Sequence, residues 1–109
     1  MKSYSVVYTA SARDDVFAAV DYIANVLFDN GAANQLIDNI QNVTERLKVF
    51  PESSPLVHDE ILCNKGIRVA VITGYILFYK VDNSKESIYI IRFLHSTQDC
   101  ASLLLAESY

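Results

Sequence analysis

Few side chains in this sequence are suited to chemistry, and the three strongest candidates lie in its C-terminal half: Arg68, Arg92 and His95. His95 precedes Ser96-Thr97 at the predicted end of a strand, where an imidazole can titrate near neutral pH and transfer protons. Arg68, between two apolar strand residues, suits an acidic partner segment. Each also has a structural interpretation: an arginine in a strand often pairs with an acid such as Glu60, and a strand-end histidine is often only hydrogen-bonded.

The spacing of Arg92 and His95 limits what they can do together. They are three residues apart in one predicted strand, so an unbroken strand directs them to opposite faces. They form one site only if a bulge intervenes. His58, beside Asp59 and Glu60 in a predicted loop, is more simply a histidine paired with a nearby carboxylate. Histidine chemistry therefore depends on His95.

Tyrosines follow the predicted middle strand. Tyr75 and Tyr79 are four residues apart and share one face, and Tyr89 is placed to join them across the sheet. Core packing with the hydroxyls at the rim is the simpler interpretation. A stacking platform for a nucleobase is the alternative.

No pattern in the sequence indicates a cofactor or a metal ion. Three glycines in the whole chain leave no Gly-rich phosphate loop. Cys63 and Cys100 match no metal-ligand spacing, and we expect both to be reduced thiols.

Charge argues against strong autonomous binding of nucleic acid. The net charge is −4, and residues 1–60 hold four basic residues against nine acidic ones. Residues 61–109 hold five basic and four acidic residues. Proteins that bind RNA or DNA strongly draw much of their affinity from Lys and Arg side chains that contact phosphates. This chain has fewer basic than acidic residues.

Length and hydropathy indicate one globular domain over residues 1–109. The chain has 109 residues, of which 51% are hydrophobic and 20% charged, which is typical of a globular protein with its own core. No apolar run reaches the roughly 18 residues that a membrane span needs. The first residues alternate apolar and polar side chains, unlike a signal peptide. We therefore expect a cytoplasmic protein.

Apolar spacing predicts an α+β fold. The predicted elements are a strand over residues 4–9, helices over 11–28 and 32–49, strands over 67–72, 75–81 and 87–95, and a final short helix over 98–105. Ser11 to Asp14 is a plausible capping box, Gly31 is available as a left-handed helix cap, and Pro51 ends the second helix. Residues 51–66 are predicted to be a long connection. The order β-α-α-β-β-β(-α) places a helix hairpin on a mainly antiparallel four-stranded sheet.

Two segments, Gly66 to Asp82 and Ile88 to Asp99, resemble the signature of the RelE/ParE toxin superfamily. They share its arginine-bearing strand at Arg68, its hairpin at Gly74-Tyr75, its aromatic strand ending Tyr79-x-Val81, and its last strand ending Arg92-x-Leu94-His95, with Asp99 after it. The N-terminal part agrees at Tyr8-Thr9, Ala12, Asp15, Asp21-Tyr22-Ile23 and Leu47-x-x-Phe50-Pro51. The resemblance covers nearly the whole chain and implies a RelE/ParE-like fold.

The resemblance also implies the toxin component of a type II toxin–antitoxin, or plasmid-stabilisation, module. RelE-like members of the superfamily are ribosome-dependent mRNA endonucleases, whereas ParE-like members poison DNA gyrase and are not nucleases. Both are neutralised by an antitoxin whose C-terminal segment wraps the toxin. A cognate antitoxin is thus the expected partner.

Departures from the nuclease pattern favour the ParE-like branch. Ile76 stands where the ribonuclease members carry an arginine, Gln98 where some carry another basic residue, and Ser54 where others use a glutamate as general base. Only His95 matches a catalytic position of some ribonucleases. Losing one electrostatic group of such a site typically costs about 10²–10³ in rate.

We therefore expect growth inhibition by binding to a protein target, with DNA gyrase as the expected target. The competing interpretation is a ribosome-dependent endoribonuclease that cuts mRNA with His95, Arg68 and Arg92. A third is a non-toxic relic that only binds its antitoxin.

The candidate contacts to antitoxin or target are Arg68, Tyr75, Tyr79, Arg92, Leu103 and Leu104. The first strand, the helix hairpin and the Leu103–Leu105 tail are the candidate surfaces, because antitoxin segments lay apolar anchors in grooves or add a strand to an edge. Self-packing or dimerisation is the competing use of the tail.

Overall fold

The computed structural model describes residues 3–106 of the chain. Its elements are β1 (Ser5–Tyr8), α1 (Ala10–Asp21), a π-helical turn (Tyr22–Val26), α2 (Asn30–Val49), α3 (Glu60–Asn64), β2 (Arg68–Ile72), β3 (Tyr75–Asp82), β4 (Ser87–His95) and α4 (Cys100–Leu105). None of these helices is long and apolar enough to cross a membrane.

The four strands form one sheet in the order β1-β4-β3-β2. β1 pairs parallel with β4, and the other two pairs are antiparallel. Thr73 and Gly74 join β2 to β3 with positive φ at both positions, 44° and 83°, which is the two-residue hairpin geometry that matches strand twist. The predicted helix hairpin on a mainly antiparallel sheet is confirmed.

Both faces of the sheet are covered. The helix hairpin packs on one face over a core that includes Leu36, Leu47, Leu77 and Ile90. On the other face, α3 and α4 contribute Leu62 and Leu104 to a second core with Ile67, Phe78, Ile91 and Leu94. Burial on two faces explains why β3 and β4 are almost wholly apolar and aromatic.

The first helix begins earlier than its sequence suggests. Thr9, not Ser11, is the N-cap: its side-chain oxygen accepts a hydrogen bond from the Ala12 amide at 3.1 Å. The same hydroxyl donates to the Ile91 carbonyl at 3.0 Å, and the Thr9 amide donates to Ile90. The capping box predicted at Ser11 is wrong because β4 anchors Thr9, and with it the helix start, to the sheet.

The turn between the two helices is closed by Phe28. Its φ is 53°, in the left-handed region that favours glycine. Asp29 then caps α2, accepting from the Ala32 amide at 2.9 Å. Gly31, predicted to be the left-handed cap, instead lies inside α2, so that prediction is wrong.

The connection over residues 51–66 contains a helical turn that the sequence analysis missed. Asp59 caps α3 by accepting from the Leu62 amide at 3.1 Å, and Leu62 is fully buried beneath it. The helix has only five residues, Glu60–Asn64, which is too short to show the apolar periodicity that predicts a helix.

Asp15 holds α1 to the sheet where β1 has ended. The last β1 residue, Tyr8, pairs with Ile90, and β4 then carries a register shift at Ile91, because Tyr79 faces Ile90 while Phe78 faces Arg92. Past this bulge the Asp15 carboxylate accepts from the Phe93 amide at 3.0 Å. It also accepts from Arg92 Nε at 2.6 Å and Nη2 at 3.0 Å.

Replacing Asp15 with Ala should lower the free energy of unfolding by about 3 kcal/mol, because it leaves a largely buried guanidinium without this carboxylate. The two side chains are only 14% and 15% exposed. Urea unfolding measures the change. Asp14→Ala is the matched control, since Asp14 is exposed on the same helix and should change stability by less than about 0.5 kcal/mol. Equal effects of the two substitutions would contradict the role of Asp15.

Replacing Phe28 with Gly should raise the free energy of unfolding by about 0.5–1 kcal/mol. The left-handed conformation costs a non-glycine residue about 1–2 kcal/mol, and the greater freedom of glycine in the unfolded chain offsets part of the gain. The matched control is Phe17→Gly, because Phe17 is also exposed but lies inside α1. There the same substitution should destabilise by about 0.5 kcal/mol. Thermal and urea unfolding of both variants check the opposite signs.

Candidate functional site

A pocket opens where the helix hairpin meets the ends of β3 and β4. Its volume is about 230 Å³. The lining residues are Asp15, Ala18, Ala19, Tyr22, Tyr75, Phe93, His95 and Gln98. Two alanines on α1 leave space for the pocket on its helix side because their side chains are short. Aromatic rings from the strands form the opposite side. We refer to it below as the aromatic pocket.

The sheet register assembles the rings. Tyr75 faces His95, and Phe93 lies two residues before His95 on the same face of β4, opposite Leu77. As a result Tyr75 stacks on Phe93 at 4.9 Å with an interplanar angle of 8°. The His95 ring meets the edge of Tyr75 at 5.0 Å and 89°. Both geometries are favourable for aromatic pairs, so the three rings stabilise one another in the pocket wall.

The phenol of Tyr75 is a neutral hydrogen-bond donor. Burial, and to a smaller extent the neighbouring Tyr22, raise the pKa of Tyr75. Ionisation of a tyrosine is already rare at neutral pH, and the raised pKa makes it rarer. Tyr75 therefore suits contact with a ring or a carbonyl of a bound partner and does not suit proton abstraction.

His95 is held in a fixed orientation by the residues that follow it. Its Nδ1 lies 2.7 Å from Thr97 Oγ1 and accepts from the Thr97 amide at 3.3 Å. With Nδ1 as an acceptor, the neutral ring carries its proton on Nε2. The His95 amide donates to Gln98 Oε1 at 2.8 Å, so Gln98 shapes this turn at the place where some ribonucleases carry a basic group.

The lining of the aromatic pocket holds no Lys or Arg among the described residues. Asp15 is its one charged lining residue, and the guanidinium that Asp15 holds belongs to Arg92. Stabilising a charged phosphate in a transition state requires a cation aimed at it. What the pocket offers is an apolar, aromatic cavity with one oriented imidazole.

Arg68 lies away from this pocket and fastens the connection after α2. Its Nη1 donates to the Ser54 carbonyl at 2.8 Å, and its Nη2 lies 3.4 Å from Glu52. Arg46 donates to the Ser54 hydroxyl at 3.2 Å. The acid that pairs with Arg68 is thus Glu52 instead of Glu60. Ser54 itself is buried, whereas a general base would have to be accessible to the substrate.

The other predicted contact residues are divided between core and surface. Tyr79 is fully buried, and its hydroxyl donates to the Pro51 carbonyl at 3.0 Å. Leu104 is also fully buried, in the core beneath α4, with Leu103 packed against it. Arg92 is bound by Asp15. Of the two tyrosines predicted as contacts, Tyr75 lines the aromatic pocket and Tyr79 does not, so a stacking pair of the two does not form on its surface.

Sequence reasoning missed Tyr22 and Phe93 as members of the pocket. Both are apolar enough to be read as core residues, and only the register of β3 on β4 and the approach of α1 bring them beside Tyr75 and His95. The only sequence feature that singled out either residue was the position of Tyr22 in the Asp21-Tyr22-Ile23 motif of the superfamily.

A second, apolar groove lies on the opposite face of the sheet, with a volume of about 320 Å³. It is lined by Val57, His58, Asp59, Leu62, Val69, Val71, Ile76, Phe78, Cys100, Ala101 and Leu104. Val71, on the edge strand β2, is 75% exposed. Burial, followed by the charge of Asp99, raises the pKa of the Cys100 thiol, which makes it a poor nucleophile. Residues 3–106 contain no cluster of metal-binding side chains.

Comparison with known proteins gives one family. Residues 6–100 match the family described as the ParE toxin of the type II toxin–antitoxin system parDE. The fold is similar to the chromosomal ParDE toxin–antitoxin system of P. aeruginosa, with a TM-score of 0.66, 19% identity, and coverage of 85% of this chain and 96% of that one. It is also similar to the toxin–antitoxin complex RelBE2 of Mycobacterium tuberculosis, with a TM-score of 0.59, 21% identity, and coverage of 85% and 98%. No curated protein matches the sequence significantly.

Replacing Arg68 with Ala should lower the free energy of unfolding by about 1–2 kcal/mol, because a charged hydrogen bond to the Ser54 carbonyl is lost in a partly buried place. Glu52→Gln should change it by less than about 0.5 kcal/mol, since the Glu52 side chain is largely exposed and such ion pairs contribute little. Urea unfolding of the two variants separates the contributions. An Arg68→Ala protein as stable as wild type would contradict a structural role.

Proposed function

Because the chain belongs to the family of ParE toxins of type II toxin–antitoxin systems, we propose that it arrests growth by binding and inhibiting a protein target, with DNA gyrase as the expected target. The observation that carries this proposal is the absence of a lysine or arginine from the lining of the aromatic pocket among the described residues. A ribonuclease acting there has one imidazole and no cation.

Cleavage of a phosphodiester requires a base, an acid and cationic stabilisation of the pentacoordinate phosphate. Arg92 is the cation bound to the pocket lining, but Asp15 binds it through two of its nitrogens and neutralises it. Ile76, at the position of the ribonucleases' arginine, lines the apolar groove on the other face of the sheet, and the described lining of that groove also holds no lysine or arginine. These features support binding over catalysis.

Overall charge supports the same conclusion. A toxin that cuts mRNA inside the ribosome must dock against RNA, and binding to RNA favours a surplus of Lys and Arg. This chain carries a net charge of −4. An acidic surface instead favours a protein partner with basic side chains around its contact area.

We infer that a cognate antitoxin neutralises the protein, since the two solved structures above are described as toxin–antitoxin systems or complexes. The apolar groove beside β2 suits the anchors of an amphipathic antitoxin segment. Part of the β2 edge is covered, because Leu56 bridges to Arg68. The exposed side chain of Val71 further along β2 leaves an apolar contact for a partner.

The proposal is tested with the purified protein in two assays. One measures DNA supercoiling by gyrase with and without the protein, and the other measures cleavage of mRNA on translating ribosomes. We expect inhibition in the first and none in the second. Cleavage of mRNA with supercoiling unaffected would overturn the proposal.

Replacing His95 with Gln separates binding from catalysis. Glutamine keeps polar atoms near Thr97 but cannot exchange a proton near neutral pH, and removal of a general acid or base typically costs about 10²–10⁴ in rate. We expect the variant to arrest growth, in the absence of antitoxin, at the same level of expression as wild type within about twofold. Loss of growth arrest in a folded His95→Gln protein that still binds antitoxin would favour the ribonuclease.

A further inference from the structure

The turn between the two helices exposes three consecutive apolar side chains, Val26, Leu27 and Phe28. Phe28 is 86% exposed, and the other two are more than half exposed. We propose that this turn, residues 26–29, called the hairpin tip below, inserts into an apolar pocket with a positively charged rim on the protein target of the toxin. The inference rests on the proposed function, because it assumes a toxin that acts by binding a protein.

Phe28 is unfavourable for the stability of the isolated chain. It occupies a left-handed conformation, with φ of 53°, in which glycine is unstrained and phenylalanine is not. Its ring lies almost entirely in solvent and belongs to neither hydrophobic core. A glycine at this position would remove both the strain and the exposed ring. Strained backbone that persists is concentrated at sites of function, and large exposed aromatics are typical anchors of interfaces.

Charge around the tip defines the chemistry of its partner. From residue 14 to residue 45 the chain has six acidic residues and no Lys or Arg. Within the described structure Asp15 is bound to Arg92. Asp29, the last residue of the tip, and Asp21, which is hydrogen-bonded to Asn25 just before the tip, are both exposed. Within residues 3–106 their hydrogen-bond donors are uncharged: Asp21 accepts from the Asn25 side-chain amide, and Asp29 caps α2 by accepting from the Ala32 amide. A basic rim around an apolar pocket is complementary to an apolar tip between two carboxylates.

Shape distinguishes the target from the antitoxin as the occupant. A ring that is 86% exposed at a helix–helix turn is a convex feature, and it needs a preformed concave surface on its partner. A folded target protein supplies such a surface, whereas an antitoxin segment that folds on binding inserts its own anchors into grooves of the toxin. The apolar groove on the opposite sheet face is the concave surface available for that purpose.

The test uses the full-length protein with Phe28→Gly, and with Phe28→Tyr to keep the ring. Phe28→Gly should unfold at a higher urea concentration than wild type and yet fail to arrest growth in the absence of antitoxin. In the supercoiling assay with purified DNA gyrase, its half-inhibitory concentration should rise by about tenfold or more, as expected for an interface anchor. Phe28→Tyr should restore most of the activity. A gain of stability with a loss of activity is a result that a merely structural role would not give.

Two controls define the assignment. Phe17→Ala removes an aromatic ring that is 76% exposed, on α1 and outside the tip, and should leave growth arrest and gyrase inhibition unchanged. Antitoxin affinity of Phe28→Gly should stay within about twofold of wild type, since the antitoxin anchors occupy grooves. The double variant Asp21→Asn and Asp29→Asn, in which asparagine still caps α2, should weaken gyrase inhibition most at low salt, where surface charges act furthest.

Growth arrest by Phe28→Gly equal to that of wild type would overturn the assignment of the tip. So would a parallel loss of antitoxin affinity, which would assign the tip to the antitoxin, or an equal loss of activity in Phe17→Ala. Wild-type protein that arrests growth without inhibiting gyrase would refute gyrase as the target, while the growth-arrest comparison of the same variants still decides the role of the tip.

Discussion

The carboxylate of Asp15 attaches the helix hairpin to β4 just beyond the point where β1 stops pairing with that strand. β1 stops at Tyr8, so the part of β4 beyond Ile90 has no pairing with β1, and there the Phe93 amide and the Arg92 guanidinium face α1. Asp15 supplies the acceptors for both. The bulge at Ile91 makes this possible because it shifts the register of β4 just before Arg92. Packing of α1, closure of the sheet edge and placement of the aromatic pocket all depend on this contact.

The same contact has a chemical consequence. An arginine next to the pocket would be a natural cation for a phosphate. Here Arg92 is committed to Asp15 and is only 14% exposed. What is left at the pocket is an apolar wall of stacked rings and an imidazole oriented by Thr97. The charge of Arg92 thus stabilises the fold through Asp15. The pocket surface that remains for a partner is mainly apolar.

Most of the fold could be predicted from the sequence because its strongest signals are local and periodic. Each of these signals lies within a single element: the apolar spacing of each helix, the proline that ends the second helix, and the aromatic residues of the middle strand. The errors came where a distant contact decides a local choice. Thr9 replaces Ser11 as the helix cap because β4 holds it, Phe28 replaces Gly31 as the left-handed residue, and the α3 turn forms because Leu62 is needed in the second core.

The site was less predictable than the fold for the same reason. Tyr75 and His95 were identified, but Tyr22 and Phe93 join them only through the register of β3 on β4 and the position of α1. Conversely, Tyr79, Arg92 and Leu104 have functional residue types but lie in the core or in a largely buried ion pair. A sequence shows which side chains are available, whereas burial decides which of them a partner can reach.

The parallel pairing of β1 with β4 also governs when the chain can complete its fold during synthesis. β1 is the first strand to be synthesised, and its partner strand lies more than 80 residues later in the chain, since Ser5 pairs with Ser87. Contacts of such long sequence separation slow folding, and they cannot form on a chain whose C-terminal strand has not yet been made. A prematurely terminated copy lacks both the partner of β1 and the arginine for Asp15. The sheet, and the partner surfaces built on it, can therefore be complete only on a chain whose translation has passed β4.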